Sequence, residues 1–102
     1  MSRLKRVTQI TSKTTAVRVN AFNGRITTVS LTDAANGTFN FTVNNTKVRS
    51  ISSIQLTPVY TGTGSPSVRL ASQTNGSFVV TVTNEGTVAL NAALTINFGG
   101  TF

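Results

Sequence analysis

An all-β domain, a β-sandwich or jelly-roll-like fold built from two similar three-stranded meanders, is what this chain of 102 residues predicts, on three observations. Apolar and polar residues alternate with a period of two, the signature of half-buried strands. Asn-Gly pairs at 23–24, 36–37 and 75–76 punctuate the alternating stretches and support the positive φ that tight turns require. A ten-residue phrase also occurs twice, as NGTFNFTVNN over 36–45 and NGSFVVTVTN over 75–84.

The elements follow in chain order. Residues 1–15 carry Arg3, Lys5, Arg6 and Lys13 with no acid and read as a basic N-terminal arm, leaving 16–102 as a single sandwich domain. Leu4, Val7 and Ile10 recur every third residue, yet β-branched Val7, Thr8, Ile10 and Thr11 favour an extended arm over an isolated short helix. AVRVN (16–20), ITTVSL (26–31) and TFNFTV (38–43) alternate as strands, with Thr and Ser expected on the outward positions. SVRL (67–70), SFVVTVT (77–83) and AALTINF (92–98) do the same.

The repeat extends beyond its core phrase. TVSL, four residues, then NGTF matches SVRL, four residues, then NGSF, 39 residues on. After a one-residue slip, Val48, Ile54 and Leu56 correspond to Val88, Leu94 and Ile96. Each half thus reads strand, turn, strand, turn, strand. One meander cannot bury its apolar face alone, so two stacked face to face are expected, with Phe39, Phe41 and Val43 facing Phe78, Val80 and Val82. Residues 58–66, PVYTGTGSP, mark the crossing between them. Tyr60, the one Tyr, is the candidate contact residue of that loop, and the alternative is that it covers the edge of the core.

Composition narrows the function. With no His and no Cys, disulfides and thiolate metal sites are excluded, which fits manufacture in a reducing cytosol. The two acids, Asp33 and Glu85, are expected at non-equivalent corners, so neither a paired-carboxylate site nor a metal cage is expected. TGTGSP lacks the Lys and following helix of a phosphate-cradling loop. No enzyme, cofactor or metal is expected. No apolar run reaches a membrane span, and the N-terminus lacks the apolar stretch of a signal peptide. The net charge of +7 raises a nucleic-acid reading, but the cations outside the arm are scattered and no aromatic residues interleave with them. Charges that keep a polar β-protein soluble, or that meet an acidic protein surface, suit this distribution better.

PSVRLASQTNGSFVVTVTNEGTVALNAALTINF, with TFNFTVNNTKV upstream, resembles small β-proteins of tailed-bacteriophage virions, namely capsid decoration (cement) proteins and related head-fibre and tail-fibre domains. The resemblance runs from about Arg25 onward and leaves the arm outside it. It implies a structural virion protein, commonly a homotrimer, made in the host cytoplasm and seated on the capsid surface against the outer face of the major capsid protein shell, which it stabilises. A fibre or receptor-binding domain, touching its target through Tyr60, is the alternative, and a basic nucleic-acid-associated protein a more distant one. Arg3, Lys5 and Arg6 are then the expected partner-binding residues, docking the arm on an acidic neighbour while adding little to the fold.

Overall fold

The computed structural model of the chain describes residues 5–101. They form eight strands: β1 (Lys5–Thr8), β2 (Val17–Arg18), β3 (Gly24–Ser30), β4 (Thr38–Asn44), β5 (Ser53–Val59), β6 (Pro66–Thr74), β7 (Ser77–Asn84) and β8 (Ala93–Thr101). Two four-stranded mixed sheets pack on each other as a β-sandwich, in the orders β1-β3-β8-β5 and β2-β4-β7-β6. The edge strands β1 and β2 run parallel to β3 and β4, and every other pair is antiparallel.

The all-β sandwich stands, but the expected division into one meander per layer does not. The two copies of the repeated phrase, β4 and β7, lie side by side in one sheet, with Phe39 opposite Val82, Phe41 opposite Val80 and Val43 opposite Phe78. Residues 41 and 80 are equivalent positions of the repeat, so the antiparallel ladder places the copies in phase about its centre. In the other sheet β5 and β8 pair likewise, with Thr57 opposite Asn97. The first strands of the halves break the relation, since β3 joins one sheet and β6 the other. Alternation determines which face a side chain takes but not which strand lies beside it, so the layer each strand joins does not follow from it.

The inward faces are as the alternation requires. Phe39, Phe41, Val43, Phe78, Val80 and Val82 are all buried, together with Ile26, Leu94, Ile96 and Phe98 from the facing sheet. Phe78 of β7 meets Phe98 of β8 edge to face across the layers, with ring centroids 5.6 Å apart and planes at 63°, a preferred aromatic geometry. Equivalence of the halves is imperfect, because Val48 is buried and Val88 exposed. Thr28 is also an exception to the outward placement of Thr. A bulge between Thr27 and Ser30 disturbs the β3–β8 ladder, and the buried Thr28 hydroxyl accepts the Leu94 N–H at 2.9 Å, so that this donor is not left bare.

The Asn-Gly pairs divide by role. Asn36 has φ 66° and Gly76 φ 93°, so the second and third pairs provide left-handed turn residues, and Asn75-Gly76 closes the β6–β7 hairpin. Asn23-Gly24 differs, for Gly24 is the first residue of β3 and sits so close to the Phe98 ring that a Cβ would collide with it. Residues 58–66 do carry the chain from one sheet to the other, although Pro58 and Val59 belong to β5 and Pro66 opens β6. Pro58 is tolerated because β5 is an edge strand.

Residues 5–15 are not an arm separate from the sandwich. β1 is extended, as β-branching suggests, but it pairs with β3 in the register Lys5 to Gly24 through Thr8 to Thr27, and the ladder continues with Gln9 N–H donating to Thr27 O at 2.8 Å. The buried Gln9 amide then donates to Lys13 O and Thr15 O, both at 2.9 Å, folding residues 9–15 back toward β2. The cause is local satisfaction of main-chain groups, which hydropathy alone does not reveal.

Candidate partner-binding surface

Arg3 lies outside the described residues. Lys5 and Arg6 are exposed on β1, and because Val7 turns toward the core, Arg6 stands on the outer face of the sheet. The parallel register sets it directly beside Arg25 of β3. Arg25 donates its Nε–H to Asn97 Oδ1 of β8 at 2.9 Å. Two cations that are 19 positions apart in the chain therefore become neighbours. Arg25 carries no distinguishing signal in the sequence, and only the unforeseen parallel pairing of β1 brings it to Arg6.

The cations are otherwise dispersed. Lys13, grouped by sequence with the arm, forms a 2.7 Å ion pair with Asp33 Oδ2 and lies 5.1 Å from the centroid of the Phe39 ring. This is the ion pair among the described residues, and it occupies the buried acid. Lys5, Arg6, Arg18, Arg25, Lys47, Arg49 and Arg69 make no salt bridge among the described residues. Lys47 instead lies 5.6 Å from the centroid of the Phe22 ring.

Tyr60 takes a different role from the cations. Its ring packs against the core cluster, and its hydroxyl donates to Thr63 O at 2.6 Å and accepts the Asn91 N–H at 2.9 Å. Asn91 Oδ1 accepts the Thr63 N–H, and the Thr63 hydroxyl donates to Ala89 O. The phenol thus ties the crossing loop to the loop before β8. β1 and β5 are opposite edges of their sheet, so at strand spacings near about 4.8 Å the Arg6 strand and the strand leading to Tyr60 are about 14 Å apart. The structure does not bring Tyr60 together with Lys5 and Arg6.

The acids also sit differently from expectation. Asn84 donates to the Asp33 carbonyl at 3.1 Å, which brings Asp33 and the neighbouring Glu85 to the same end of the sandwich. Asp33 is buried on Lys13, whereas Glu85 is exposed. No group of three or more His, Cys, Asp or Glu capable of holding a metal ion occurs among the described residues. No helix of the described residues is long and apolar enough to cross a membrane.

Asn45 and Asn84, the closing residues of the repeated phrase, are wholly buried. Asn84 Oδ1 accepts the N–H groups of Ser65 and Gly86, while its amide donates to the carbonyls of Asp33 and Val88. Asn45 Oδ1 accepts from Ala21 and Lys47, and its amide donates to Ala21 O. Each Asn main-chain N–H reaches the Gly of the other copy's Asn-Gly pair, Asn84 to Gly37 O and Asn45 to Gly76 O, both at 2.9 Å. The repeated letters therefore mark two reciprocal loop clamps rather than a duplicated ligand site. Comparison with protein-family models, with curated proteins and with solved structures returns no match to this chain.

Proposed function

We propose that this chain is a non-catalytic structural protein of a virion, a capsid decoration protein that attaches to the outer face of the major capsid protein shell and holds adjacent shell subunits together. The observation that carries this reading is the unbalanced surface charge. The ion pair among the described residues, Lys13–Asp33, uses the buried acid, while the cations of β1, β2, β3 and β6 have no acidic partner there. Such a surface is complementary to an acidic protein exterior and would be steered to it electrostatically. The sequence resemblance noted above, from about Arg25 onward, points to the same reading, and a homotrimeric state and synthesis in the host cytoplasm are proposed with it.

The receptor-binding alternative draws less support, because the Tyr60 hydroxyl is already engaged on both its donor and acceptor sides within the chain. The nucleic-acid reading draws less support, since Phe39, Phe41, Phe78 and Phe98 face the core and Phe22, beside Lys47, is the one largely exposed phenylalanine ring among the described residues, short of the successive rings on which bases stack. The test is reconstitution: particles lacking the chain are incubated with the purified protein and heated. Saturable binding with a raised temperature of genome release supports the reading. Absence of binding at low and physiological ionic strength, or binding without any change in release temperature, contradicts it.

A further inference from the structure

We propose that the outer face of the sheet β1-β3-β8-β5 is the docking face, with the Arg6–Arg25 pair gripping carboxylates of a protein partner. This rests on the reading above for the partner being a protein, and it adds where and how contact is made. Arg6 and Arg25 occupy one row of the sheet because β1 and β3 are parallel and in register, at a strand separation of about 4.8 Å. Like charges directly opposite one another destabilise a sheet. Here no acid among the described residues neutralises them, for Asp33 is held by Lys13 and Glu85 follows β7 of the other sheet.

The surroundings of the pair are suited to an external acceptor. Asn97 takes the Nε–H of Arg25, which fixes the guanidinium and leaves its terminal nitrogens as donors. Thr57 continues the same row beyond Asn97, and Thr27 and Thr95 pair in the adjacent row. None of these three hydroxyls is engaged in a hydrogen bond among the described residues. On the outer face of the other sheet most of the comparable groups are already used, the Thr42 hydroxyl excepted. Thr38 bonds Thr83 at 2.9 Å and Thr81 bonds Asn40 at 2.7 Å, and Arg18 and Arg69 stand on opposite edge strands. One face thus offers two adjacent cations with open donors, and the other two isolated ones. A planar guanidinium fork fits a carboxylate in bidentate geometry, and the four strands place no aromatic ring in the rows around the pair on which a nucleobase would stack.

The experiment is a titration of the isotope-labelled full chain, followed by nuclear magnetic resonance, with a deca-glutamate peptide and separately with a thymidine decamer at equal ionic strength. The peptide is expected to shift Arg25 Nε and the amides of Thr95 and Asn97. The double variant Arg6→Gln/Arg25→Gln is expected to bind it about tenfold or more weakly, as loss of two charge-assisted contacts implies, with a melting temperature unchanged or raised because a like-charge pair has gone. Arg69→Gln should weaken it less than about twofold. Equal weakening by Arg69→Gln would overturn the proposal, showing only diffuse attraction. So would tighter binding of the decamer at the same residues, which would make this a phosphate surface. Full occupancy of particles by the double variant would overturn the docking face while leaving capsid decoration intact. Peptide binding that persists when wild-type chain ignores particles would keep the face and remove the decoration reading.

Discussion

Replacing Asn84 by Ala is expected to lower stability by about 4 kcal/mol. Its side chain makes four hydrogen bonds to main-chain groups of three separate loops: Ser65 N, Gly86 N, Asp33 O and Val88 O, at 2.8 to 3.1 Å. A net contribution of about 1 kcal/mol for each gives the sum, and any main-chain group left buried without a partner adds to it. This is a large part of the about 5 to 15 kcal/mol available to a small domain. Asn45 makes three such bonds, two of them to Ala21, so Asn45→Ala should lose about 3 kcal/mol by the same reckoning. Guanidinium unfolding at neutral pH measures both, with an unchanged denaturant slope showing that the loss belongs to the folded state. A loss below about 1 kcal/mol for Asn84→Ala at constant slope would refute the clamp and return Asn84 to ordinary turn punctuation.

Other consequences are accessible to the same instruments. Phe41→Ala and Phe78→Ala should each cost about 3 to 5 kcal/mol, since both rings are buried, and the Phe78 variant also loses the edge-to-face contact with Phe98. Tyr60→Phe should cost about 1 to 2 kcal/mol and speed amide exchange at Asn91, whose N–H loses its acceptor. Removal of residues 1–6 takes away half of the edge strand β1 and is expected to cost less than about 2 kcal/mol. The same truncation should weaken attachment to particles most at low salt, with the difference fading as ionic strength rises and screening shortens the reach of Lys5 and Arg6.

What was legible in the sequence and what was not follows from what each signal encodes. Period-two alternation reports which face a residue takes, so Phe39, Phe41, Phe78 and Val80 were assigned correctly to the core. It says nothing of neighbours, and β4 and β7, expected in facing layers, are hydrogen-bonded partners. The letters of Asn45 and Asn84 are plainly repeated, yet polar residues at strand ends read as exposed turns. Their complete burial depends on carbonyls and amides of loops distant in sequence. Lys13 looked like part of a charge run because its partner Asp33 lies twenty positions away. Tyr60 was open to two readings, a loop contact or a cover on the core edge; its ring packs against the core cluster, and its bonds to Thr63 and Asn91 depend on loop geometry that the sequence does not encode. Lys5 and Arg6 were singled out on charge, but Arg25 was not, because only a parallel β1–β3 register makes it their neighbour.

Counting copies tests the central claim most directly. Quantitative mass spectrometry of purified particles should find this chain in numbers comparable to the major capsid protein, as a protein that covers and braces the whole shell through a cationic face requires. A few copies per particle, or none after gradient purification at physiological salt, would contradict the account.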